Sequence, residues 1–255
     1  MKENASVEGV VDEIYEAIQA TPRRQRRLYS STFWSKFGFK TRTLERIEQV
    51  SAALRDKSLL VDVGEQVFGK EEPKTWVIIS YVELPPTPSD DWFTSMAHHE
   101  FESEREVESF FVLPLLEKLE YVEDDIALAH PVKTREGTKR ITAQVDCAVF
   151  NGLPHAKENT LLIVEEKWAA REQWDDAVGQ ARSYALWLRP AYYVVTDGYA
   201  VRVYWCQVED ASDKVVLELR REELGARWNE LCIVLARKQV VARKQARRKA
   251  ALTGN

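Results

Sequence analysis

The chain has 255 residues, 45% hydrophobic and 30% charged, with a formal net charge of −5. It is long and apolar enough for one large domain or a medium domain with a small one, and its balanced charge excludes both a polybasic coat and an acidic disordered tail. Any nucleic-acid binding must come from local patches.

Residues 1–60 read as mostly helical. Val10, Val11, Ile14 and Ile18 recur at helical spacing, and Leu44, Ile47, Val50 and Leu54 do so again. The alternation of Trp76 and Ile78 with Val77 and Ile79 reads as a strand, so residues 1–83 are expected to form a small, mainly helical, winged-helix-like domain. Phe33, Phe37, Gly38 and Phe39, followed by Thr41-Arg42-Thr43 and a helix to Leu54, resemble a helix-turn-helix that would dock on DNA or on another protein. The same aromatics read equally well as core. The run Pro22-Arg23-Arg24-Gln25-Arg26-Arg27 is one of two strong basic clusters, the other lying in the basic tail at 237–255. Each suits phosphate tracking or a solvated helix face.

Residues 64–71 nearly spell a phosphate-binding loop. Glu71 stands where a Ser or Thr hydroxyl is required, and Pro73 blocks the helix whose N-terminus would hold the phosphate, so no nucleotide site is expected. Leu84-Pro85-Pro86-Thr87-Pro88 marks an interdomain linker over residues 84–96. His98-His99-Glu100 has no H-E-x-x-H spacing and reads as a solvated loop.

The second domain is expected over residues 97–236. Val107, Phe110, Phe111, Leu115, Leu116 and Leu119 form an amphipathic helix that Pro114 should kink. Strands are predicted at 126–131, 141–150 and 160–168, a helix at 171–188, strands at 192–196, 199–206 and 214–219, and a long closing helix at 222–252. Asp197-Gly198 is a hairpin signal. The fold class is α/β, a mixed sheet flanked by helices and preceded by the winged-helix-like domain.

Cys147, Cys206 and Cys232 hold no C-x-x-C pair and no disulfide framework, which points to a reducing compartment. No leader is visible, nor any apolar stretch of about eighteen residues, so the expectation is a cytoplasmic protein with no membrane partner.

The chemistry gathers in the strands. Asp146 alternates with the apolar Val145, Cys147 and Val149, and the next strand runs through apolar residues 161–164 into Glu165, Glu166 and Lys167. Two neighbouring buried carboxylates are costly unless a cation neutralises them, and a divalent metal with open positions for water and a phosphate oxygen is the natural solution. Lys167 would orient the attacking water and offset developing charge. Asp146 paired with Arg140 or Lys167, beside a surface E-E-K triplet, is the plainer alternative. On the following helix Gln180 and Tyr184 lie four apart on one face.

With those residues in view, the run VEEKWAAREQWDDAVGQARSYALWLRPAYYVVTDGYAVRVYW resembles the N-terminal nuclease domain of type I restriction enzyme R subunits, a branch of the PD-(D/E)XK superfamily with an added Q-x-x-x-Y motif. ESEREVESFFVLPLLEKLEY is similar to that domain's first helix, and QVDCAVF to its Asp-bearing strand. The resemblance implies a Mg²⁺-dependent endodeoxyribonuclease, with Mn²⁺ able to substitute, acting on DNA in restriction or defence. It implies metal ligation by Asp146, Glu165 and the backbone carbonyl of Glu166, with Lys167 catalytic. Glu104 would face the site, and Gln180 and Tyr184 would contact the nucleic-acid backbone or position the active-site residues. Glu120 stands where the family usually has Gly, Glu166 where it has a small residue, and Val145 where the superfamily's name has Pro. Glu166 should therefore point away from the metal, toward a solvent opening or a basic partner. Cutting both strands implies a homodimer, and the missing nucleotide site implies a partner protein supplying targeting or motor activity. The rival reading is a non-catalytic nucleic-acid-binding or scaffold module on a degenerate nuclease fold.

Overall fold

The computed structural model describes residues 6–39, 41–63, 67–136, 139–168, 174–205 and 213–253, with side chains left out at 133–136, 139–141 and 249–253. Cys206 and the expected helix start at 171 lie outside those residues, as does the side chain of Arg140. The chain divides into two compact units, Met1–Leu84 and Pro85–Asn255.

The first unit runs α1 (Val7–Gln19), β1 (Gln25–Tyr29), α2 (Ser30–Lys36), α3 (Leu44–Asp56), β2 (Leu59–Asp62) and β3 (Trp76–Tyr81). Its antiparallel sheet has the order β1-β3-β2. Ser6 and Thr43 cap the first and third helices through their hydroxyls, as N-cap residues do. The helical stripe Val10, Val11, Ile14 and Ile18 packs with Val50, Leu54, Val77 and Ile79 in one core. The basic run at 22–27 is no helix face: it is a turn at 22–24 that leads into β1, where alternation leaves Gln25, Arg27 and Tyr29 exposed. Glu71, the residue that spoils the phosphate loop, is buried. Its Oε1 accepts from Ser30 Oγ (2.8 Å), Trp34 Nε1 (2.5 Å) and Arg42 (3.1 Å), so it ties the loop before β3 to the start of α2.

The second unit is a mixed α/β fold. It opens with α4 (Asp90–His98), capped by the Ser89 hydroxyl, so a helix occupies much of the stretch whose prolines suggested linker. His98 and Glu100 are exposed, as a solvated loop would be, but the segment is tied down after α4 ends at His98. The buried Arg221 donates to the His99 carbonyl, Tyr199 Oη donates to Glu100 (2.7 Å), and Trp168 Nε1 donates to the Phe101 carbonyl (2.8 Å).

The long amphipathic helix is α5 (Glu104–Val107), a π-helical turn (Glu108–Val112) and α6 (Leu113–Lys118). Pro114 has no N–H to give the preceding turn, and the turn widens, with Leu113 N donating to the Glu108 carbonyl five residues back. Glu120 then takes φ 70°, the left-handed conformation that glycine adopts without cost, while Tyr121 N reaches back to the Leu116 carbonyl.

A six-stranded sheet follows, ordered β4 (Ile126–Glu136), β5 (Lys139–Phe150), β6 (Thr160–Glu166), β7 (Tyr192–Thr196), β8 (Ala200–Trp205) and β9 (Lys214–Arg220). All neighbours are antiparallel except β6 and β7, whose parallel pairing is bridged by α7 (Trp174–Leu188). β4 is an edge strand, which lets it carry Pro131.

Helix α7 covers one face, with Ala177, Ala181 and Tyr184 packed on Ile163, Tyr193 and Val195. On the other face Phe111, Leu115 and Leu119 lie with Leu162, Val164 and Val194 around one small cavity. The expected single closing helix is two, α8 (Trp228–Leu235) and α9 (Arg237–Thr253), broken at Ala236. Much of the basic tail is spent on the fold. Arg237 pairs with the fully buried Asp125 carboxylate (2.6 Å), and Lys244, Arg247 and Arg248 donate to the carbonyls of Arg189, Ala191 and Glu158. Burial alone would raise the Asp125 carboxyl, but Arg237 and the N–H groups of Val122 and Gly152 hold it below its usual range. No helix among the described residues is long and apolar enough to cross a membrane.

Candidate active site

The adjacent strands β5 and β6 bring three of the expected residues together. One register step beyond Cys147↔Val164, Asp146 Oδ2 accepts the Glu166 backbone N–H at 2.9 Å. Just past the end of β6 the backbone of Lys167 donates to Thr196 O (2.9 Å), which holds the chain in line while its side chain turns inward. Lys167 Nζ lies 2.7 Å from Glu165 Oε1 and 3.9 Å from Asp146 Oδ2. The Glu165 side chain is 0% exposed, and its Oε2 has no hydrogen-bond partner. β4 leaves extended geometry at Ala129 (φ 48°), between the pairs Leu128↔Cys147 and His130↔Val145 and so facing Asp146.

Alternation along β6 sends Glu165 toward α7 and Glu166 toward the helix of α5, the π turn and α6. Glu166 thus points away from Glu165, but it reaches neither solvent nor a basic partner. It is 3% exposed, and its Oε1 is unpartnered. Burial, then the charges of Glu108, Asp146, Glu165 and Glu104, push its carboxyl up to about 9. It is protonated at neutral pH, a third way of accommodating a buried acid. Burial likewise raises Glu165 to about 7, with Asp146 adding to the effect and Lys167 opposing it. Burial alone would lower Lys167, yet its hydrogen bond to Glu165 and the charges of Glu165, Asp146 and Glu104 raise it, so it is a cation here.

Glu104 is exposed at the start of α5, and its charge acts on both Lys167 and Glu166. Glu108, one helical turn on, was not singled out from the sequence. Burial and the Asp146 charge raise its carboxyl while Arg105 opposes them. The i, i+4 spacing of the two acids on one helix face was the available signal. Gln180 Nε2 donates to Tyr184 Oη at 3.0 Å, and Tyr184 is buried in the core beneath α7. Among the described residues neither forms a hydrogen bond or ion pair with Asp146, Glu165 or Lys167.

Such an arrangement, two carboxylates and a lysine at a strand end with a further acid approaching from a helix, invites comparison with known proteins. Residues 103–219 match the family model of the type I restriction enzyme R protein N terminus. The matched stretch starts just before Glu104 and ends in β9, so it takes in Asp146, Glu165, Lys167, Gln180 and Tyr184. No curated protein and no solved structure matched the chain.

Among the described residues no three His, Cys, Asp or Glu side chains gather as a ready-made metal cluster. The carboxylates that could donate here are two, Asp146 and Glu165, bridged by Lys167. The buried, partnerless Glu165 Oε2 is the atom that a cation would satisfy. Two carboxylates leaving most positions to water and phosphate oxygens is how Mg²⁺ is commonly held. The residues present therefore fit that ion.

Proposed function

We propose that the second unit is a Mg²⁺-dependent nuclease of the PD-(D/E)XK type that hydrolyses DNA phosphodiester bonds in restriction of foreign DNA. The observation that carries this reading is the fully buried Glu165 carboxylate, orphaned at one oxygen, beside Asp146 and a lysine that touches both. The family match at 103–219 supports it. Asp146, Glu165 and the Glu166 carbonyl would hold the metal, which when bound polarises a phosphate oxygen and acidifies a water.

Lys167 keeps its ammonium where it orients that water and answers the negative charge that builds on the phosphate. The water oxygen bonds to phosphorus as it releases a proton to solvent, the bond to the leaving sugar oxygen breaks, and that oxygen takes up a proton from solvent. Glu104 and Glu108 approach the same space from the helix, and the Glu104 charge helps to keep Lys167 protonated. Gln180 and Tyr184 brace α7 against the site face. The order of elements in the first unit, with its β1-β3-β2 sheet, supports a winged-helix-like targeting domain. Double-strand cutting would need a second copy, and translocation a partner protein.

A plasmid-nicking assay tests the activity. Wild type should relax supercoiled DNA with Mg²⁺ and not with EDTA, and Lys167→Ala should lose about 10²–10³-fold in rate. Nicking that survives both Asp146→Ala and Lys167→Ala would sink the proposal.

A further inference from the structure

The first unit carries a surface that the nuclease chemistry does not use. Across β1 and β3, the residues Gln25, Arg27 and Tyr29 lie opposite Ser80, Ile78 and Trp76. The alternate residues Val77 and Ile79 point into the core, so this is the outer face of the sheet. Tyr29 is 44% exposed and Trp76 37%. Their rings stack at 3.9 Å and 22°, and the Arg27 guanidinium lies 4.0 Å from the Trp76 centroid. A stacked pair of large rings left in water offers flat π-surface to a further ring.

The charge beside it has one sign. Arg27 shares this face, Arg26 lies on the alternate side opposite Ile79, and Arg23 and Arg24 are exposed in the turn before β1; among the described residues none of the four has a carboxylate ion-pair partner. Helix α3, which the helix-turn-helix reading would press on DNA, instead exposes Glu45, Glu48 and Asp56 and would repel phosphates. β1 is also the sheet's edge strand, and its arginines discourage pairing with another protein strand. Flat rings next to a row of guanidiniums match a polyanion whose bases are unpaired.

We propose that this sheet face binds single-stranded nucleic acid, with bases stacked on the Tyr29–Trp76 pair and phosphates held by Arg27 and by the arginines of the turn that precedes β1. The site does not depend on the nuclease reading.

The test is fluorescence anisotropy of a labelled oligothymidylate of about 15 nucleotides, with the full chain in EDTA so that no hydrolysis intrudes. Tyr29→Ala should weaken binding about tenfold, while Tyr29→Phe, which keeps the ring, should hold it within about twofold. Arg27→Ala should lower the slope of log affinity against log salt by about 0.7. Glu48→Gln, on the exposed face of α3, should bind like wild type, which separates the sheet face from charge elsewhere on the unit. Binding unmoved by Tyr29→Ala, binding of duplex but not single strand, or no binding by wild type would each overturn the proposal and leave the face to a protein partner.

Discussion

Replacing Glu166 with glutamine isolates what an unpaired acid costs this fold. The carboxyl sits at about 9 in the folded chain against a usual 4.5. Between those values the native state binds a proton that the unfolded state has released, so stability is greatest at the acid end and falls as pH rises through the window. At about 1.4 kcal/mol for each pH unit above 4.5, the cost at pH 7 is about 3.5 kcal/mol. At pH 5 it is under about 1 kcal/mol by the same relation. Gln keeps the size and never ionises, and its amide can donate to the neighbouring carboxylates. Thermal unfolding in EDTA should therefore show Glu166→Gln melting roughly 6–12 °C above wild type at pH 7 and nearly level with it at pH 5. An equal shift at both pH values, or a loss at pH 7, would refute the argument that Glu166 is buried without a cationic partner.

Two further substitutions test the frame around the site. Glu120→Gly should relieve the left-handed backbone at φ 70° and stabilise by about 1 kcal/mol, read as a higher urea midpoint at unchanged slope. Asp125→Ala removes the buried acceptor of Arg237, Val122 N and Gly152 N. It should cost about 3 kcal/mol in the same assay, and a loss below about 1 kcal/mol would show that α9 is held by its apolar contacts alone.

Much of the second unit was legible because its signals are local and repeated. The apolar runs in β6 and β7 and the helical stripe from Val107 to Leu119 each state their element in a few residues. Asp146, Glu165 and Lys167 could be grouped because strand alternation and one antiparallel pairing suffice to bring them together. The misread parts depend on tertiary context. The run at 22–27 reads as a basic cluster by composition, and only pairing with β3 makes its second half a strand. His99 and Glu100 look untethered until the buried Arg221, more than a hundred residues away, comes to lie against them. Pro114 announces a disturbance but not its form, since kink and π turn both accommodate a missing N–H. Glu108 went unnoticed because one acid on an amphipathic helix looks like surface until the strand it faces is known. Alternation tells which side of β6 Glu166 takes, yet its protonation follows from burial and then from four other carboxylates, which no local pattern sums.

The central claim is that Asp146 and Glu165 form a divalent-cation site, and titration calorimetry with Mn²⁺ tests it most directly. Wild type should bind the ion with a saturable heat that vanishes in the Asp146→Ala, Glu165→Ala double variant while the fold is retained. Absence of binding to wild type, or the same isotherm for both proteins, would contradict the account.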